Sequence, residues 1–395
     1  AGFLKKSGGS VELYGAIVSA ASNMENPGAV LKDLSAIRHE TFHNELLKSF
    51  KSFKDKAAAR EILFSSAGKL SGEYDISLLI FIDENRFTEA AGVLLQLLGG
   101  RTAQIREYAA RLLKDFGTPD IHEAVIERIS FETSAFTGED AGFLKLLLDI
   151  LAIQGTADSQ STIISTMKFA ELSEHACSKL LEIGESGIPY LALALKAKDT
   201  ERSGAAMKCL RRYGGAAVGE ASKLLTHPSE DVRLFALSFV SENGGVEIIP
   251  ELVRLYDEGK PFPKDKILDL LSNFEVRHYE GIVDELLNSD QTDERIKGLS
   301  LLEKRCETGY RKKIISMLED DEEASIREKA AAVIFHAGLD EAVPVMERMA
   351  QYEEENFALN LVHYLGFMGG ADTADVLMGL RKGKSAKLGE AAGLA

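Results

Sequence analysis

His39-Glu40-Thr41-Phe42-His43 is the string in this 395-residue chain whose residue types and spacing come closest to a reaction centre. On a helix, histidines four apart share a face, so two imidazoles can bind zinc while the glutamate between them activates a water. Thr41 stands where a bulky apolar residue is usual, Glu45 adds charge where it is uncommon, and no third ligand stands out downstream. His39, Glu40 and His43 are therefore the candidate metal residues, with no metal assigned, no cofactor expected and no catalytic residue named. His122-Glu123 is a second His-Glu pair. Cys177, Cys209 and Cys306 lack any CxxC spacing, which reads as reduced, packed thiols in the cytosol.

The elements that would carry these residues are helices. Gly and Pro punctuate a chain rich in Ala, Leu, Glu and Lys, with 8 prolines and no tryptophan. A net charge of −16 repels phosphate backbones, so nucleic acid is not an expected partner. No apolar run approaches the ~20 residues that span a bilayer, and the start lacks the apolar core of a secretory leader. A cytoplasmic protein is the expectation.

A repeat organises the chain. Gln104–Leu113, Asp231–Val240 and Ser325–Ile334 each set an aliphatic residue before an arginine (Arg106, Arg233, Arg327), an alanine three further on, then large apolar residues. Gly155, Gly184, Gly214 and Gly244 follow one another at steps of 29, 30 and 30 residues. The apolar spacing is that of an amphipathic helix, and a glycine after its last turn suits a left-handed C-cap. Pro189, Pro250 and Pro344 follow the glycines by five or six residues, where proline opens a second helix without losing a hydrogen bond. A unit of helix, turn and helix this short cannot bury its own apolar face, so neighbours must stack. Ile296 with Lys297 marks another copy, a weak unit lies around Pro261–Asn288, and Ser203, Lys297 and Ala358 depart from arginine at or near its register.

The aliphatic-Arg entry, the Ala and Gly positions and the Ile-Pro starts resemble HEAT repeats, in particular the short phycobilisome-lyase-like type, from about Gln104 to Leu380. That resemblance implies an all-α fold: a right-handed α-solenoid, a HEAT/armadillo-like superhelix of about ten or eleven helix pairs. It implies a non-enzymatic scaffold or adaptor as function. The alternative is an enzyme or cofactor handler on the same scaffold, either tetrapyrrole lyase-like or metal-dependent through residues 39–43. The 39–43 string is similar to the zincin metallopeptidase motif over five residues. His-Glu pairs on HEAT-like units are similar to those of deoxyhypusine hydroxylase, which needs four pairs where two occur here.

Residues 1–70, helical without the repeat signature, are expected as an N-terminal cap or small helical domain, 71–381 as the array, and 382–395 as a flexible tail. Leu46–Lys56 is a basic amphipathic stretch within the first of these. Two acidic clusters recur one unit apart: Glu319, Asp320, Asp321, Glu322 and Glu323, then Glu353, Glu354 and Glu355. They make a candidate ridge for a protein or peptide partner with a basic segment. Phe131 and Phe136, in a lengthened connection over 131–140, are further contact candidates. The identity of the partner and the oligomeric state are not legible.

Overall fold

The computed structural model describes residues 11–35, 38–117, 121–196, 199–304, 306–381 and 386–395. Among these there are helices, short 3-10 turns and no strand. The chain is an all-α solenoid: twelve helix pairs and a final helix among the described residues, against the ten or eleven pairs expected. It divides into two compact units, Ala1–Phe235 and Ala236–Ala395.

In the first unit the first helices of successive pairs pack on one another: Val11–Ser22 on Glu40–Ser49, that on Gly72–Asn85, then Ala103–Phe116, Ala141–Gln154, Ala170–Ile183 and Thr200–Tyr213. Gly28–Ser35 packs on Lys56–Ser65 as second helix on second helix. Residues 11–65 thus follow the same pairing as the array despite lacking its sequence marks. Aromatic rings fill their seams, with Tyr14 against Phe42 and Phe42 against His43. The two compact units do not part at residue 70.

In the second unit Thr292–Lys304, Ala324–Ala337 and Glu355–Met368 stack in the same way. The weak unit is real but shortened, with helices Lys264–Leu271 and Glu280–Leu287 joined through a 3-10 turn at Val276–His278 in place of a glycine cap. The tail differs from expectation. Ala386–Leu394 is a helix packed on Glu355–Met368 and on Ala371–Arg381, and 382–385 lie outside the described residues. Small residues there keep helix propensity, and Ala392 is buried, so the segment adds one more layer.

The small residue three positions past the arginine register explains the close stacking. Ala109, Ala206, Ala236 and Ala330 are fully buried, and Gly298 stands at that position in Thr292–Lys304. A methyl on Gly298 would meet Leu287 Cδ2 at 2.9 Å. The capping glycines are not all alike, and Gly184 and Gly214 take a positive φ (101° and 56°) outside the left-handed helical region. Gly117, Gly155 and Gly338 adopt the left-handed conformation that spares only glycine a steric cost. Gly244 and Gly369 do not: a Cβ on Gly244 would lie 2.5 Å from Val240 O, and Gly369 is extended. Pro189, Pro250 and Pro344 open their second helices in the first turn, as expected.

Arginine clamps and a candidate partner surface

Each marked first helix begins on an arginine that folds back over its own N-terminus. Arg327 Nη1 donates to Asp321 O at 2.8 Å and to Glu322 O at 3.2 Å. Its other face forks onto Glu353, Nε to Oε1 at 3.0 Å and Nη2 to Oε2 at 3.1 Å, from the loop that opens the next unit. Arg106 repeats this with Gly100 O at 3.5 Å and Asp140 Oδ1 at 2.6 Å. Arg233 reaches His227 O at 2.8 Å and Pro228 O at 2.9 Å. Arg295 reaches Ser289 O at 2.9 Å and Asp321 Oδ1 at 3.2 Å.

The carbonyl taken lies six residues before the arginine in all four, and a planar guanidinium is the group that can serve two loops at once. Arg295, not Lys297, therefore holds this register in its unit. Lys297 sits half a turn on and pairs with Asp265 at 2.6 Å.

The clamps decide what remains of the acidic ridge. Asp321 and Glu353 are consumed by Arg295 and Arg327, and Glu319 pairs with Arg348. Asp320 accepts from Ser316 Oγ at 3.3 Å. Glu322, Glu323 and Glu354 are exposed, and among the described residues no ion pair engages their carboxylates. Glu355 is exposed in the first turn of its helix.

Phe131 falls in the last turn of His122–Thr133 and not in a loop. It is 67% exposed, with the Arg128 guanidinium 5.0 Å above its ring. Phe136 lies in the connection and folds back onto Phe169, ring centroids 4.8 Å apart.

The 39–43 string is dismantled by its own helix boundary. His39 is the N-cap of Glu40–Ser49, outside the helix, while His43 is 1% exposed. Nδ1 of His43 lies 3.1 Å from His39 O and Nε2 lies 2.6 Å from Ser66 Oγ, so both ring nitrogens are held by protein. Burial pushes the His43 pKa down, favouring the neutral ring. Among the described residues no group of three His, Cys, Asp or Glu side chains is arranged to hold a metal ion. His122 is the first residue of its helix and stands alone as a His-Glu pair there.

Sequence reasoning missed a second polar device. Asp149, 9% exposed on Ala141–Gln154, takes Lys114 at 2.7 Å, His175 at 2.8 Å and Lys179 at 3.3 Å from the helices on either side. Burial opposes its ionisation, but the hydrogen bonds from Lys114, His175 and Lys179 outweigh that and hold its pKa below the ordinary value. Glu303 does the same in the second unit with Lys329 and with His336 at 2.9 Å. Cys177 and Cys209 also meet across helices: Cys209 Sγ donates to Cys177 O at 3.9 Å, and Arg212 Nη1 lies 3.6 Å from Cys177 Sγ.

Stacked helix pairs, four of them opened by these clamps, define an α-solenoid. No protein-family model matches the chain, and no curated protein matches it. Among solved structures it is similar to yeast importin-β (Kap95p), at 13% identity and a TM-score of 0.33, over 97% of this chain and 61% of that one. A second importin-β structure gives 12% identity and a TM-score of 0.37 over 96% and 58%. An engineered protein gives 15% and 0.24 over 89% and 97%. The chain thus spans about 60% of the length of the importin-β chains it matches.

Proposed function

We propose that this chain is a non-enzymatic scaffold that binds a protein or peptide partner, and that the partner presents a basic segment to the acidic loops at 319–323 and 353–355. The observation that carries this reading is the division of labour among the carboxylates. Asp321 and Glu353 serve the clamps, while Glu322, Glu323 and Glu354 extend into solvent with no ion pair among the described residues. Exposed charge of one sign steers an oppositely charged partner and makes its association salt-dependent.

The finer likeness to short phycobilisome-lyase-like repeats belongs to this reading, supported by the prolines that open three second helices. So do a cap over 1–70, an array over 71–381 and a cytoplasmic location. Among the described residues no helix is long and apolar enough to cross a membrane.

The test is binding of a labelled arginine- and lysine-rich peptide, followed by fluorescence anisotropy as salt rises. The native chain is expected to bind at low salt and release at high salt. Replacing Glu322, Glu323, Glu354 and Glu355 together by Gln is expected to flatten that dependence. A variant that keeps the native affinity and salt slope overturns the reading.

A further inference from the structure

Cys177 and Cys209 are the buried thiols of the first unit, and the repeat brings them together. Cys177 lies on Ala170–Ile183 and Cys209 on Thr200–Tyr213, the first helices of successive pairs. Ala176 and Ala206, each the seventh residue of its helix, are fully buried and let the two helices approach closely. Cys209 Sγ lies 3.9 Å from Cys177 O, and the two thiols hydrogen-bond to each other. Cys306, half-buried in the second unit, meets the backbone of Glu307 instead.

A cation completes the cluster. Arg212 Nη1 lies 3.6 Å from Cys177 Sγ, and the same nitrogen pairs with Glu174 at 2.6 Å. Cys177 is 4% exposed, but its cover on that side is this ion pair, whose side chains are 43% and 83% exposed. A surface pair of this kind holds weakly, so swinging Arg212 aside opens a path for a small neutral molecule. The hydrogen bond from Cys209 pulls the Cys177 thiol below its ordinary pKa against burial, and the Arg212 guanidinium adds to that pull. Hydrogen bonding to Cys177 and burial push Cys209 the other way, so the proton stays there.

We propose that Cys177 is a site at which hydrogen peroxide modifies this chain, and that Cys209 resolves the product into a disulfide between consecutive helix pairs. The Cys177 thiolate attacks one peroxide oxygen and the O–O bond breaks. Hydroxide leaves and takes up the proton the thiol had shed, giving water. Sulfur is oxidised to a sulfenic acid and the peroxide is reduced. The negative sulfur that held the Cys209 proton is then gone. Cys209 loses that proton, its sulfur attacks the Cys177 sulfur, and the S–O bond breaks; the departing hydroxide takes the proton as a second water. Two thiols and one peroxide give one disulfide and two waters. The new bond joins residues 32 apart and staples one helix pair to the next. This chemistry is independent of the acidic partner surface.

The experiment treats the full chain, in its native state, with hydrogen peroxide, alkylates the remaining thiols, and maps the digest by mass spectrometry. A linked Cys177–Cys209 peptide pair is expected, about 2 Da lighter than the two reduced peptides together and restored by dithiothreitol. It forms at least about tenfold faster than Cys306 oxidises, although Cys306 is the more exposed thiol. Cys209→Ser stops the reaction at the sulfenic acid on Cys177, where dimedone traps it. Arg212→Met, a change at a largely solvated side chain, slows the oxidation by about tenfold. Thermal melts establish that both variants fold. Oxidation of Cys306 ahead of Cys177 overturns the proposal, and so does a native chain whose Cys177 and Cys209 both stay open to alkylation after treatment. Unslowed oxidation of R212M overturns it too, since exposure alone gives Cys177 no reason to outrun Cys306.

Discussion

Neighbouring helices in this solenoid are locked together in two different ways, and the contrast shows what the repeat motif encodes. At Ala324–Ala337 the lock is an arginine at the helix start. Arg327 binds the loop behind it and Glu353 ahead of it, all within two turns of the N-terminus. At Ala141–Gln154 that register holds Leu144, and the lock moves to mid-helix, where Asp149 gathers Lys114 from the helix before and His175 and Lys179 from the helix after. The first kind ties loops together and leaves the helix faces apolar. The second places a carboxylate between packed helices, where it is worth keeping only because three donors surround it.

The difference predicts unequal damage. Asp149→Asn leaves Lys114, His175 and Lys179 converging on a neutral amide, and is expected to cost about 3 kcal/mol, the usual price of breaking a buried pair from one side. Its pH dependence has a definite sign. Asp149 is held below its ordinary pKa, so its contribution is fully present above the unfolded carboxylate value of about 4 and is lost as pH falls through the lower folded value. Denaturation of native and D149N chains should therefore differ most near neutral pH and converge in acid. A gap that persists unchanged into acid would mean that the carboxylate charge is not what Asp149 supplies. Arg327→Met keeps the stem and removes the fork, and is expected to cost about 2 kcal/mol, since Glu353 at the surface edge regains water. Equal losses for the two variants would erase the distinction.

Glu303→Gln should cost the least of the three. Glu303 is also held below its ordinary pKa, burial opposing the charge and Lys329 and His336 outweighing it. Its partners number two where Asp149 has three, and the site is more open to solvent. A loss of about 1–2 kcal/mol by urea denaturation is expected, with the same convergence in acid.

How legible these features were follows from how local they are. The clamp arginine, the alanine three residues on and the proline of the second helix each keep a fixed place in the unit, so their spacing repeats and can be read. The exception teaches the same lesson: beside Ile296, Lys297 imitates the motif, and only the carbonyl six residues back identifies Arg295 as the clamp. Asp149 leaves no such trace, because its partners lie 35 and 26 residues away on other helices at unrelated positions. The repeat pairing of the helices over 11–65 escaped for a related reason. Tyr14, Phe42 and Tyr74 fill seams that alanine and arginine fill elsewhere, so the packing recurs while the letters do not. The two histidines fall on either side of a helix boundary between His39 and Glu40, and periodicity does not place such a boundary to one residue.

The smallest expected effect tests whether a clamp is a portable part. Between Ser203 and Ser229, which line one cavity, both halves are missing: Ser203 holds the arginine's place in Thr200–Tyr213, and Ser229 stands just before Glu230–Asn243, where Asp140 precedes Ala141–Gln154. Ser203→Arg alone should change stability by less than about 0.5 kcal/mol, its gain in packing offset by side-chain ordering and by the nearby Lys196. Ser229→Asp alone should do as little. Together they restore the pair that Arg106 makes with Asp140, and a double-mutant cycle should return a favourable coupling of about 1 kcal/mol. Additive single effects would mean that the clamp depends on more of its unit than the two residues that form it.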